Sequence, residues 1–249
     1  MGFHLYAYAE SQDSAVLVPT AAIVDPSLTV SGDYVQVPSF ATYLMGAMAI
    51  GASTTRARLV SPSLRRILNP EIRPINRLAL PSDPPRLMFF PASPIQLDEG
   101  EQVSAESSED AAGAAQTTVL VWLSDGAIAP VSGEIFSVRV SAAATLTPYQ
   151  WTNTALLFDQ TLPVGTYSIV GARFESTGLL AFRFVFQGGA MRPGGIGAQT
   201  ALQQTLTEQR YGGLGDWGDF VHSTPPTVDF LATSADTSEI GVLDLVKTA

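Results

Sequence analysis

Cysteine is absent from the 249 residues. That removes disulfides, thiolate nucleophiles and thiolate-bound zinc from consideration. Lysine occurs once, at Lys247, and histidine twice, at His4 and His222. Two histidines so distant in sequence give no metal-ligand spacing, and neither neighbours a pattern that would position a nucleophile. There is no Gly-x-Ser-x-Gly turn of the kind that presents a catalytic serine. The glycine-rich stretches Arg192–Gly197 and Tyr211–Gly218 contain no Gly-Lys-Ser/Thr, so neither reads as a phosphate loop. Instead they read as inter-strand loops whose glycines permit tight turns, with Tyr211, Trp217 and Phe220 as candidate anchors onto a neighbouring subunit. No cofactor and no metal site is expected.

Charge is also scarce. Charged residues make up 14% of the chain and apolar residues 46%, where an ordinary chain carries roughly 25% charged residues. Such a chain needs either an unusually large core or a surface destined for burial against other subunits. A membrane-spanning helix is excluded by length. The longest uncharged, proline-free stretch runs from Ser39 to Thr55 and carries Ser and Thr at its ends, short of the ~20 apolar residues a span needs. Met1-Gly2-Phe3-His4-Leu5-Tyr6 has neither a signal-peptide pattern nor the Ser/Thr of a myristoylation site.

The net charge of −10 argues against a general nucleic-acid binder. Its distribution is uneven, because Arg56, Arg58, Arg65, Arg66, Arg73, Arg77 and Arg86 share one stretch with only Glu71 and Asp83. Arginine suits buried or interfacial pairing, since its planar fork binds carboxylates and is weakly hydrated. Arg56, Arg58, Arg65, Arg66, Arg73 and Arg77 are therefore candidates for pairing within or between subunits, or for facing a genome or membrane. No aromatics interleave them for base stacking. The acidic run Asp98-Glu99-Gly100-Glu101, with Glu106, Glu109 and Asp110, lacks the spacing of an EF-hand and reads as a solvated loop.

Strand patterns dominate. Phe3–Ala9, Thr117–Leu123, Glu134–Val140, Thr227–Leu231 and Ile240–Val246 read as strands. Gly165–Gly171 and Leu179–Phe186 read as a hairpin joined through Glu175-Ser176-Thr177-Gly178. Two segments read as short helices: Phe40 to Met48, with apolar residues at i, i+3, i+4, i+7 and i+8, and Gln199 to Gln209. An internal echo, Ser82–Phe89 against Ser223–Phe230, suggests a duplication with its join near Asp125 to Gly133. The expectation is mainly β: two consecutive jelly-roll β-sandwiches, residues 1–128 and 129–249, with a few short helices in connecting loops. About thirteen strands are legible where two rolls need about sixteen. Weak strands in the arginine-rich stretch would supply the difference.

Several segments together carry a family resemblance. They are Trp151-Thr152-Asn153, Phe158–Tyr167, Arg192-Pro193-Gly194-Gly195 and His222–Pro226, with Ser61–Arg66 and Pro74-Ile75-Asn76 earlier. The chain resembles the double jelly-roll major capsid proteins of tailless icosahedral bacteriophages. The resemblance implies a protein of the virion that is not an enzyme, built as trimers that present six rolls as a pseudo-hexagonal tile. The implied partners are further copies of the chain, other capsid proteins such as a vertex protein, and an internal lipid membrane or packaged genome met non-specifically. The alternative is a β-sandwich carbohydrate- or receptor-binding module, with exposed Trp122, Trp151 or Trp217 as a sugar platform. A third reading is an enzyme on a jelly-roll or cupin scaffold, which its two distant histidines disfavour.

Overall fold

The structure, a computed structural model, describes residues 2–74, 93–110, 114–126, 131–199 and 215–249, and residues 88–89 by their backbone alone. It forms two compact units: Leu5–Ala127, and Ile128–Ala249 together with Met1–His4. Residues Met1–His4, read in sequence as the start of the first half, group with the later unit for a local reason. The Phe3 ring meets Trp217 edge-on at 5.2 Å, and His4 Nδ1 accepts the Arg192 N–H at 3.1 Å.

The earlier unit contains β1 (Phe3–Gln12), β2 (Val18–Thr20), β3 (Val30–Ser31), β4 (Tyr34–Gln36), β5 (Tyr43–Gly51) and β6 (Thr54–Val60). A single helical turn, α1 (Pro62–Arg65), follows. Then come β7 (Glu71–Ile72), β8 (Met88–Phe89), β9 (Ile95–Gln96), β10 (Gln102–Glu109) and β11 (Ala115–Ser124). One sheet runs β1-β11-β5-β8, with β9 also on β5; the other runs β3-β4-β10-β6-β7, with β2 also on β10.

The later unit contains β12 (Ile135–Ala142), β13 (Thr152–Ala155), β14 (Leu157–Phe158), β15 (Thr166–Ser176) and β16 (Leu179–Val185). It continues with β17 (Gly194–Ile196), β18 (Ala198–Gln199), β19 (Gly218–Val221), β20 (Thr227–Ala232) and β21 (Glu239–Lys247). Its sheets run β14-β12-β21-β15-β18, with β19 also on β15, and β13-β20-β16-β17.

The two units share one winding. Taking β2–β4 as a single interrupted second strand and leaving aside the accessory β9, β14 and β18, each unit orders its principal strands first-eighth-third-sixth in one sheet. The other sheet is ordered second-seventh-fourth-fifth. This is the double-sheet arrangement of a jelly roll. The fold is mainly β, and α1 is its one helix among the described residues.

The strands differ in whether one face or both are covered. β5, β11, β16 and β20 are buried at nearly every position, hence on both faces. β12 and β21 alternate in and out. This corrects the helix expected over Phe40 to Met48. That segment leads into β5, where Leu44 to Ile50 are almost all apolar because both faces are covered. An unbroken apolar run satisfies helical spacing by accident. The second expected helix, Gln199 to Gln209, lies outside the described residues except for Gln199, which ends β18.

The hairpin expected between Gly165–Gly171 and Leu179–Phe186 is also corrected. β15 and β16 follow one another through Thr177-Gly178, yet they belong to opposite sheets. β5 and β6 make the same crossing. The Pro-Pro echo joins non-equivalent strands as well. Met88–Phe89 pairs with β5, whereas Thr227–Ala232 lies between β13 and β16. Arg192–Gly197, expected as a loop, contains β17, whose Gly194 lies against the backbone of β16. A Cβ at Gly194 would fall 2.1 Å from the Phe182 carbonyl oxygen.

Phe174, Phe182, Phe184 and Phe230 form the centre of the later unit, with Phe174 at 4.8 Å from Phe182 and 5.2 Å from Phe230. Such offset and edge contacts add to the burial of the rings. Gly194→Ala is expected to destabilise the protein by about 1–3 kcal/mol, since backbone must move. Gly189→Ala, whose Cβ would meet only ordinary contacts at 3.5 Å, should be near neutral. Urea denaturation of both variants checks this.

Candidate functional site

The arginine-rich stretch folds into β6, α1 and β7 of the earlier unit. On β6, Arg58 stands in register between Glu106 of β10 and Glu71 of β7. Its guanidinium reaches Glu106 Oε2 at 2.7 Å through Nε and 2.6 Å through Nη2. Arg56 reaches Glu71 at 2.6 Å, with both side chains about half exposed. Exposed pairs of this kind contribute about 0–1 kcal/mol. These two arginines are thus engaged within the unit.

Helix α1 begins at Ser61, whose hydroxyl accepts the Leu64 N–H at 3.1 Å, with Pro62 in its first turn. Glu101 fixes this start by accepting the Ser61 hydroxyl and the Ser63 N–H, each at 3.1 Å. Leu64 is buried and anchors the turn. The chain then reverses through Leu68 and Asn69, at φ 65° and 50°. The left-handed region is natural for Asn and unfavourable for Leu. Leu68 is 90% exposed and Ile67 48%. Arg65 and Arg66 are exposed beside them, with Arg66 donating to the Ser63 hydroxyl at 3.0 Å. The result is a projecting tip that is basic and aliphatic together. No acid among the described residues pairs with Arg65, Arg66 or Arg73. Arg73 stands apart from the tip, just beyond β7. Arg77 and Arg86 lie outside the described residues.

The expected inter-subunit anchors have another role. Trp217 is 2% exposed, stacked near Phe182 at 6.2 Å and edge-on to Phe184 at 5.9 Å. Phe220 is 5% exposed and stacks on Tyr167 at 5.8 Å. Phe220 lies on β19, which pairs with β15, and Trp217 just before it donates its N–H to the Ile169 carbonyl at 2.8 Å, so both rings are held over the core of their own unit. Neither is free to anchor a neighbour. Tyr211 lies outside the described residues. A tryptophan sugar platform is likewise not formed. Trp122 is fully buried, and the Trp151 face is covered by the Arg183 guanidinium at 4.1 Å.

The acidic residues serve separate local roles: Glu101 caps α1, Glu106 pairs with Arg58, and Glu109 is buried against the Thr54 and Thr117 hydroxyls. His4 and His222 each accept a backbone N–H through Nδ1. Among the described residues no three His, Cys, Asp or Glu side chains gather as a metal site would require. A cleft of about 240 Å³ in the later unit is lined by Thr166, Phe186, Gln187, Asp219 and Thr224 among others. The Asp219 carboxylate accepts the Ser168 hydroxyl there.

One polar cluster escaped the sequence reading. Arg183 of β16 is fully buried and pairs with Asp229 of β20 at 2.9 Å. Asn153 of β13 donates to Asp229 at 2.7 Å. The three residues form a line across adjacent strands. An arginine inside the apolar run Leu179–Phe186 was the available signal, since a buried charge demands a partner.

No protein-family model matches the chain, and no curated protein matches it. Among solved structures, it is similar to the major capsid protein P2 from Bacteriophage PM2, at 12% identity and a TM-score of 0.27, over 99% of this chain and 98% of that one. The fold assignment rests on the strand order.

Asp229→Ala should destabilise the protein by about 3–5 kcal/mol, because it removes the acid paired with the buried Arg183 guanidinium. Asp159→Ala, which removes the exposed pair with Arg139 at 3.2 Å, should cost under about 1 kcal/mol. Equilibrium denaturation distinguishes the two.

Proposed function

We propose that the chain is a structural subunit that assembles with copies of itself, as pseudo-hexagonal trimers, into the shell of an icosahedral virus, and that it catalyses nothing. The observation that carries this reading is the repetition of one jelly-roll winding in two successive units of a single chain. Jelly rolls serve as viral shell domains, lectins and cupins. The lectin alternative loses its support with the burial of Trp122 and Trp217. The cupin alternative has two histidines, each accepting a backbone N–H, and no gathered ligand set among the described residues. A trimer of such chains would offer six rolls.

The tip at Arg65, Arg66, Ile67 and Leu68 supports a second element of the proposal. A cationic and aliphatic projection on a chain of net charge −10 suits contact with an anionic layer inside the shell, lipid phosphate or genome. Further shell components, such as a vertex protein, would meet the flanks of the tile.

Electron microscopy of the purified protein tests the proposal. Trimers, sheets or closed shells are expected; a dispersed monomer at every concentration would contradict it. Replacing Arg65 and Arg66 together with Ser should leave the fold intact and reduce particle yield or content, read by sedimentation of assembled material.

A further inference from the structure

Glu239 opens β21 and is fully buried. Neither of its carboxylate oxygens has a hydrogen-bond partner among the described residues. On one side its register partner is Ala142 of β12. On the other side the ladder to β15 runs to Glu175 opposite Ile240. The next residue of β15 is Ser176, buried, with a hydroxyl that also has no partner among the described residues.

The other ionisable groups at this end offer no compensating positive charge. Asp236, in the 233–238 connection, accepts the Thr177 and Thr237 N–H groups, each at 2.8 Å, and adds negative charge beside Glu239. Tyr149, in the connection after β12, is raised above its ordinary pKa by burial and stays neutral. Arg173 of β15 is held by Glu175 at 2.7 Å, Arg139 of β12 by Asp159 at 3.2 Å, and Arg183 of β16 by Asp229 at 2.9 Å. β18, which flanks Ser176 through Gln199, carries no ionisable side chain. Asp244 and Lys247 lie farther along β21.

The earlier unit supplies an internal contrast. Glu109 ends β10, so it too borders the link between a seventh and an eighth strand. It is buried, but its Oε1 accepts the Thr54 hydroxyl at 2.7 Å and the Thr117 hydroxyl. The earlier unit gives one oxygen of its acid two hydroxyl donors and leaves Oε2 without a partner among the described residues, whereas the later unit brings only the Ala144 and Glu239 N–H groups near its acid, outside hydrogen-bond geometry.

A buried carboxylate approached only by the Ala144 and Glu239 N–H groups, neither within hydrogen-bond geometry, is tolerated when neutral and costly when ionised. A hard cation would need several oxygen ligands, and the Asp236 oxygens are already engaged by N–H groups. A proton is the occupant this geometry favours. We propose that Glu239 is a proton-operated latch: its neutral form keeps this end of the later unit closed, and its ionisation opens the 233–238 and 143–149 connections to water.

Burial first, and Asp236 second, push the Glu239 carboxyl up to about 7 from 4.5, against the smaller downward pull of the Ala144 and Glu239 N–H groups. Between those values the folded chain binds more protons than the unfolded one. Stability from this group is therefore complete below about pH 4.5 and is lost as pH rises through about 7. The latch concerns the stability of the chain itself, whatever it assembles into.

The experiment is denaturation of the full chain from about pH 5 to about pH 9, for the wild type and Glu239→Gln, joined to carboxyl-carbon NMR of the wild type. Relative to Glu239→Gln, the wild-type unfolding constant should rise on the order of a hundredfold across this range. The Glu239 carboxyl should titrate near pH 7. Parallel slopes for the wild type and Glu239→Gln would overturn the proposal. So would a carboxyl midpoint in the ordinary glutamate range, even if Glu239→Gln failed to fold. Stabilisation by calcium near pH 8 that requires Glu239 would show a cation site in place of a proton latch.

Discussion

In each unit, the middle of the sandwich denies water to strands on both faces. β5 and β11 in the earlier unit, and β16 and β20 in the later one, are buried at almost every position. A polar group placed there must find its partner inside the protein. The rest of the structure follows from that requirement. Backbone groups are satisfied by the ladders, and side chains are almost all apolar. Where charge enters, it enters as a set: Arg183 and Asn153, on the strands either side, both bind Asp229. The low charge of the chain therefore has its first explanation in its own interior. Exposed large aliphatics are scattered, with Val16, Val24, Ile135, Leu157 and Val164 among them, apart from the adjacent Ile67 and Leu68.

The same requirement marks where the sandwich ends differ. A carboxylate at the edge of the core is acceptable if hydroxyls meet it, as Thr54 and Thr117 meet Glu109. Glu239 lacks that provision among the described residues. The contrast makes one end of the later unit chemically sensitive, while the acid beside the corresponding link of the earlier unit has hydroxyl donors at one oxygen. Polar provision outside the core is looser. Arg56 and Arg58 find acids on neighbouring strands, whereas Arg65 and Arg66 stay in solvent on a tip held by Glu101 and Leu64.

Strands covered on one face were legible in the sequence. β12 and β21 alternate as written, and their bounds fall close to the pattern. Strands covered on both faces lose period two, yet β11, β16 and β20 were still read as strands from their β-branched and aromatic residues, whereas β5, built of Leu, Met, Ala and Gly, mimicked a helix. Sheet membership was also hidden. A two-residue link such as Thr177-Gly178 looks the same whether the chain folds back beside itself or crosses to the facing sheet, and only distant partners decide. The arginine stretch was visible, but its division into paired and unpaired members depends on Glu71 and Glu106, which other strands bring. Trp217 and Phe220 looked like surface anchors because their glycine-rich context suggested a loop; backbone bonding to β15 turned them inward. Glu239 did leave a trace, since it shares the inward phase of Gly241, Leu243 and Leu245.

The account stands on the two-sided burial of the central strands, and amide hydrogen exchange of the intact chain measures it most directly. The slowest-exchanging amides should fall at Leu44–Ile50 and Val119–Leu123 in the earlier unit, and at Leu179–Phe184 and Val228–Leu231 in the later one. The edge strands β13 and β14 should exchange far faster. Exchange in those central segments as rapid as at the edges would contradict the architecture described and the functional reading built on it.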